Sequence, residues 1–416
     1  MRTYRDLLAV PGAPAFVTAG FVARLPVAMR GLGCLLLVSA TTGSYALAGA
    51  VAAALMLSQA AAAPFLGRAA DRHGQRRMLL ATLLVHQAGM VTLLVASRLG
   101  LPAWTLIAAA VLAGCATIPI GPLVRSRWAA LVGDSGRLPG AYALESVIDE
   151  IIYVLGPILV TVLAVHLFPE AGLLGALVLV TTGTVALAAA RGTEPPRIPR
   201  TDRPGRGPLR TRGMLLLSLV FLLFGTFLGA IDVGVIAFAE EQGAPGWAGV
   251  LLALLALGSM VAGLAWGGVG VWRLSEPARF VLCGAAVGAT SLPLLFIDSL
   301  TALALCMVLA GSAVAPLLIT GSTLVQTLLP RQVLTEGFAW MYSAVTVGMA
   351  SGSALGGALT DSRGSEGALL LAVTTGLATA LATAAGRPRL TPPARPSAPV
   401  HPAPARRATP APDTPH

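Results

Sequence analysis

The chain has 416 residues, 56% of them hydrophobic and only 11% charged, and its 28 basic side chains outnumber 18 acidic ones for a formal net charge of +10. A water-soluble domain carries about 25% charged residues, so this composition excludes a soluble globular protein and makes lipid the solvent for most of the chain. The basic surplus would suit nucleic acid, but its places follow membrane topology instead, and no GxxxxGK[ST], HExxH or GxSxG stretch points to ATP hydrolysis or to an enzyme.

A helix needs about 20 apolar residues to cross the hydrocarbon core. Arg2 and Arg5 precede the first apolar stretch as in a signal peptide, but that stretch runs on and further spans follow. A retained first span over 14–40 is therefore expected, with Arg24 and Arg30 inside it. A second span, 44–66, leads into Gly67-Arg-Ala-Ala-Asp71-Arg72-His-Gly74-Gln-Arg76-Arg77. Here Gly67 and Gly74 permit a tight turn and close backbone approach. Asp71 can face a helix N-terminus or an arginine, and such contacts can lock one of two rigid-body states. The arginines alone would be no more than a topology signal.

The spacing of this loop (Gly, three residues, Asp, a basic residue, one residue, Gly, one residue, basic residues) resembles the loop signature of the major facilitator superfamily. It also stands in that family's place, between spans two and three. The resemblance implies a gating role for Gly67, Asp71, Arg72, Gly74, Arg76 and Arg77. It implies a secondary transporter working by alternating access, with no cofactor and with a proton gradient as its energy source. In the second half the equivalent loop carries Val271 where the Asp would stand, which leaves gating to the first half.

Spans three and four are read at 78–97 and 101–124, the latter ending beside Arg125 and Arg127. The fifth, 140–166, opens with Glu145, Asp149 and Glu150; Glu145 and Asp149 are four apart and share a helical face. Acids at membrane depth are costly and usually face a cavity or an ionic partner, and Arg24, Arg30, Arg125 and Arg127 are the candidate partners. A carboxyl in an apolar setting can take up and release a proton near neutral pH, as proton-coupled transport requires; structural ion pairing is the alternative. Gly156-Pro157 can kink a helix and let another approach. The pair resembles the core of a fifth-span motif of drug:proton antiporters in that superfamily, although Ile152 and Val160-Thr161 replace its other glycines. The resemblance implies export of a small amphiphilic compound in exchange for protons; sugar or metabolite transport, inward or outward, is the alternative.

A sixth span, 170–190, completes an N-terminal bundle over 1–190, and an Arg/Pro-rich linker, 191–212, separates it from a C-terminal bundle over 213–386. The spans of that bundle are read at 213–238, 246–270, 279–297, 300–324, 333–358 and 365–386, with Asp232 in the first of them. Ala48-Gly49 and Gly67 recur as Ala248-Gly249 and Gly267, and Gly114 and Pro119 recur as Gly311 and Pro316, as a duplicated unit would show. The Pro-rich tail, 387–416, is expected to be disordered.

Nearly all arginines outside the first span fall in alternate loops, Arg98 and Arg363 excepted, so the positive-inside rule puts both termini in the cytoplasm. The expected molecule is an all-α integral protein of the plasma membrane. Its twelve transmembrane helices form two six-helix bundles related by a pseudo-two-fold axis along the membrane normal. It is read as a monomer that binds a small molecule and protons within the bilayer, with no nucleic-acid partner. Arg24, Arg30, Glu145, Asp149, Glu150 and Asp232 are its candidate proton and substrate residues. Cys34, Cys115, Cys283 and Cys306 lie in apolar runs without ligand spacing, and His86 and His166 stand alone, so no metal site is expected.

Overall fold

In lipid a backbone must satisfy its own hydrogen bonds, which leaves long apolar stretches the helix as their only open-ended form. The computed structural model describes residues 2–133, 136–196, 208–244, 246–268 and 274–390, and every regular element among them is helical. In chain order these are α1 (Arg2–Leu8), α2 (Ala13–Thr42), α3 (Tyr45–His73), α4 (Gln75–Arg98), α5 (Ala103–Cys115), α6 (Ile120–Val132) and α7 (Leu138–His166). There follow α8 (Ala171–Ala189), α9 (Arg212–Glu241), α10 (Trp247–Gly268), α11 (Glu276–Ser291), α12 (Leu300–Leu328), α13 (Leu334–Arg363) and α14 (Ser365–Gly386). Local chemistry sets several ends. Ser44 and Ser299 accept from Leu47 N and Ala302 N to cap α3 and α12, and Gly43 (φ 69°) closes α2 in the left-handed region.

Helices α2 to α8 pack on one another, α9 to α14 do the same, and the halves meet through α3 and α6 against α13, and α7 against α10 and α12. Leu84, Trp104, Phe296, Leu305 and Leu381 project outward from the bundle. Apolar side chains in that position are at home in lipid and would be an aggregation hazard in water.

The structure departs from the expected spans in four places. A short helix, α1, precedes the first span and buries Leu7 against the bundle. The fourth span is two helices, α5 and α6, with a break at 116–119. Pro119 supplies no N–H, and its ring pushes the preceding residue out of the helical region; the span then resumes and runs to Val132. Eleven helices, counting α5 and α6 together, are long and apolar enough to cross a membrane among the described residues. The twelfth, α13, has the length but not the apolarity. Its Gly348 and Gly352 lie against the backbone of α9 at Leu222 and Thr226, and a Cβ on Gly348 would stand 3.0 Å from Gly225 Cα. Small residues that let two helices meet backbone to backbone lower the mean hydropathy as a matter of course. Finally, the chain does not lose order at 387: Arg387–Leu390 forms a 3-10 turn with Leu390 fully buried. The remainder of the tail, most of the linker (197–207) and Val271 lie outside the described residues.

Candidate functional site: a helix-end lock and two buried arginine clusters

The second span runs on past 66, so residues 67–73 are the helical end of α3 rather than a loop and only Gly74 turns the chain; these last turns of α3 meet the start of α13. Gly67 is the point of closest approach: a Cβ there would stand 3.0 Å from Thr335 O and 3.2 Å from Glu336 Cα. One turn on, Asp71 Oδ2 accepts from Glu336 N at 3.1 Å. A carboxylate at a helix N-terminus satisfies an orphan donor and complements the macrodipole. Arg68 then grips the Glu336 carboxylate in bidentate fashion, Nε to Oε2 at 2.9 Å and Nη2 to Oε1 at 2.5 Å, and Glu336 is buried. Gly74 follows with φ 90°, a backbone that any side chain would strain, and so turns the chain directly into α4.

The lock extends sideways. Thr335 Oγ1 lies 3.1 Å from Ser126 Oγ on α6, Ser126 accepts from Gln75 Nε2 at 2.8 Å, and Gln75 Oε1 accepts from Arg127 Nε at 2.7 Å. Arg127 also donates to Leu187 O, Ala190 O and Thr193 Oγ1, tying α6 to the end of α8. Tyr142 and Phe338 add an edge-to-face contact between the halves at 5.8 Å.

A second cluster lies among α2, α6 and α7. Arg24 donates from Nη2 to Glu145 Oε2 at 2.6 Å and from Nη1 to Asp149 Oδ1 at 2.8 Å. Arg125 Nη2 reaches Asp149 Oδ2 at 2.9 Å, and Trp128 Nε1 donates to Glu145 Oε1 at 2.8 Å. Two cations and two anions therefore balance. Three of the four are nearly sealed, whereas the Asp149 side chain is 22% exposed. The Arg125 guanidinium also lies 4.8 Å from the ring centroid of Tyr342 on α13, so this cluster reaches the other half through a cation–π contact. The neighbouring Glu150 crosses to that half as well, accepting from Ser259 Oγ of α10 at 2.6 Å.

A third cluster is inside the first half. Arg30 donates to Pro26 O, Thr117 Oγ1 and Gln59 Oε1 and approaches His86 Nε2. It faces a cavity between α2, α4, the 116–119 break and α8.

The candidates named from sequence are thus distributed over separate places. Asp71, Gly67 and Gly74 sit in the lock; Arg72, Arg76 and Arg77 have exposed side chains, with Arg76 joined to Glu194 through its backbone N–H. Arg24, Glu145 and Asp149 come together, and Arg30 does not join them. Asp232 is half-buried on α9 and makes no hydrogen bond or ion pair among the described residues, so it belongs to neither cluster. Gly156 lies against α2, where a Cβ would be 3.1 Å from Ala28 C. Sequence reasoning did not single out Arg68, Glu336, Gln75 or Trp128. Arg68 was in plain view beside Gly67, and Glu336 is an acid at the start of an expected span. Among the described residues no three His, Cys, Asp or Glu side chains converge as metal ligands would.

A family model described as Major Facilitator Superfamily matches residues 16–291 and 270–412. No curated protein matches by sequence. Similar solved structures include the human organic anion transporter MFSD10 (TETRAN), with a TM-score of 0.69 at 15% identity, covering 90% of this chain and 99% of that one. A bacterial homologue of the iron transporter ferroportin in an outward-facing state aligns with a TM-score of 0.70 at 14% identity, over 89% of this chain and 98% of that one. The E. coli fucose:proton symporter FucP gives 0.69 at 10% identity, over 91% and 98%. Identities this low speak to the fold alone.

Proposed function

The chain belongs to the major facilitator superfamily and is a multi-pass membrane transporter rather than an enzyme, and on that premise we propose that it exports a small amphiphilic compound in exchange for protons. Its halves rock about a substrate site between them, with no cofactor and with the proton gradient as the energy source. The observation that carries this reading is the pair Asp149 and Glu150. The two carboxyls are adjacent on one helix, and both are linked to the opposite half, Asp149 through Arg125 and Tyr342, Glu150 through Ser259. Asp149 is committed to two guanidinium groups, whereas among the described residues Glu150 meets only a neutral hydroxyl. Glu150 is therefore assigned the travelling proton and Asp149 the task of relaying its charge state to Arg24 and Arg125. Asp232, which has no ion pair among the described residues, is the second proton candidate.

The lock supports alternating access, since Asp71, Arg68 and Glu336 join rigid halves through contacts that must break for that end to open. The arginine-bearing loops around Arg76, Arg137 and Arg191 support a cytoplasmic location for the lock and for both termini, in the plasma membrane. The two-bundle fold encloses its own site, so a monomer suffices. The export direction rests on the resemblance of Gly156-Pro157 to the antiporter motif.

The test is movement of a dye and drug panel in proteoliposomes, with and without an imposed pH gradient. Gradient-driven movement that Glu150→Gln abolishes and Asp149→Asn impairs is the expected result. Movement indifferent to the gradient would overturn proton coupling and leave a facilitator.

A further inference from the structure

The lock occupies one flank of the interface between the halves, where α3 meets α13, and the duplication of the chain defines its counterpart on the other, where α10 meets α7. The two flanks start alike. Gly67 lies against α13, and a Cβ there would stand 3.2 Å from Ala339 Cβ; Gly267 lies against α7, where a Cβ would run into Ala143. Ala143 follows Tyr142 as Ala339 follows Phe338. The charged groups are not repeated. Gly268 stands in the place of Arg68, Val271 in that of Asp71 and Gly140 in that of Glu336. At the positions the repeat assigns, the α7–α10 flank therefore has no side chains with which to form an ionic lock.

That flank is crossed instead by α1. Its Tyr4 and Leu7 are three apart and share a helical face. Leu7 is fully buried, and α1 packs on α2 and α7 of the first half. Tyr4 reaches the second half: its hydroxyl donates to Leu264 O on α10 at 2.9 Å, and a Cβ on Gly267 would stand 2.7 Å from the same hydroxyl. The foot of α1 is fixed as well. Gly12, with φ 82°, turns the chain into α2, and a Cβ there would stand 2.7 Å from Thr193 Cγ2. The Thr193 hydroxyl in turn accepts from Arg127 Nη1 at 3.0 Å. Helix α1 is thus anchored in the first half at Leu7 and Gly12 and bonded to the second through Tyr4.

We propose that α1 is a strap that closes the second flank of the gate, with Tyr4 as the positioning residue through which it acts. A helix anchored in the first half alone would stabilise that half and leave the opening of the gate untouched. The bond from Tyr4 to Leu264 O lasts only while α10 lies against α7, so it weights the equilibrium towards the state in which this end is closed. The two flanks then differ in kind: an ion pair and a carboxylate at a helix N-terminus hold α3 to α13, whereas one neutral hydrogen bond from α1 reinforces α7 against α10. The strap rests on the alternating-access reading, since only a gate that opens can be held shut, but it is independent of the cargo and of proton coupling.

The experiment measures opening of the gate directly, with neither substrate nor gradient. Ser126→Cys in the full chain without its native cysteines places a thiol on the other flank, against Thr335, and its rate of reaction with a bulky polar maleimide is followed in detergent. Tyr4→Phe keeps the ring and removes only the donor. It should raise the rate about two- to fivefold, the worth of one neutral hydrogen bond, and deleting residues 2–8 should raise it at least as far. Local fraying of α1 would not reach Ser126, so a faster reaction there reports movement of the halves. Glu336→Gln, which weakens the ionic flank, is the reference. An unchanged rate in Tyr4→Phe and in the deletion, with Glu336→Gln still faster, would overturn the strap and leave the lock. A lower melting temperature with no change in rate would also overturn it, making α1 a stabilising helix and nothing more. No response in any of the three variants would overturn the strap together with the gate on which it rests.

Discussion

Glu336 serves the lock twice, once through its backbone N–H to Asp71 and once through its carboxylate to Arg68. The two contacts fail differently. Asp71→Asn keeps an acceptor for the N–H and loses only the charge at the α13 N-terminus, about 0.3–1 kcal/mol, so transport should fall while expression and insertion hold; full activity would remove Asp71 from the gate. Glu336→Gln takes the charge from a bond to arginine, about 1.5–3 kcal/mol, and should open this end more often. A cysteine placed at Ser126 in a variant without the native cysteines should then react faster with a bulky polar thiol reagent. In the second cluster, Arg24→Ala would leave Glu145, fully buried, with Trp128 Nε1 as its one remaining hydrogen-bond partner among the described residues. Breaking a buried pair in this way costs roughly 3–5 kcal/mol, and a thermal melt in detergent should register it. An unchanged melt would mean the cluster is looser than its distances. Asp71 was legible in the sequence because its spacing from two glycines is local. Glu336 was not, because it lies 265 positions away and reads along the chain as an acid opening a helix.

Among the elements, α13 shows how composition can mislead about position. It falls short of the apolarity of a lipid-facing span because much of its surface meets α3, α6, α9 and α14 instead of lipid. Its glycines divide by what they face. Gly352 has Thr226 backbone atoms about where a Cβ would sit, whereas Gly357 has nothing within 4 Å. Gly352→Leu should therefore exceed the usual 1–3 kcal/mol of overpacking and depress folded yield, while Gly357→Leu should stay within about 0.5 kcal/mol. Equal effects would deny the backbone contact between α9 and α13. The broken fourth span carries a similar lesson. Pro119 was visible, but whether it would bend one helix or separate two depended on α2, α4 and α8 packing around the gap. The break also places Thr117 where its hydroxyl accepts from Arg30 Nη1.

For the whole molecule, the halves are joined at one end by Arg68–Glu336, Ser126–Thr335, Tyr142–Phe338 and the Tyr4 hydroxyl donating to Leu264 O. Rocking must break all of these together. A Ser126→Cys, Thr335→Cys pair, again without the native cysteines, should form a disulfide on oxidation and stop transport, with reduction restoring it. Transport that continues through the cross-link would mean this end stays closed throughout the cycle. The tail divides at Leu390. Removing 391–416 should leave stability and transport unchanged. Removing 387–416 also strips the 387–390 turn, which meets α9, α11 and α14 and carries the buried Leu390, and should cost about 1.5–3 kcal/mol, seen as a lower melting temperature.

Hydropathy and glycine spacing are read along the chain, and they determined the membrane setting, the near-positions of the eleven apolar spans among the described residues and the turn at Gly74. These are properties of short segments in contact with lipid or water, where neighbours in sequence settle the energy. Only the tertiary structure decided that, among the described residues, Arg24 has two carboxylates and Arg30 none, though the two lie six residues apart on one helix and looked alike in the sequence. Which face of α2 meets α7 and which meets α4 is set by packing between helices, and a buried charge acquires its meaning from whatever that packing brings within 3 Å.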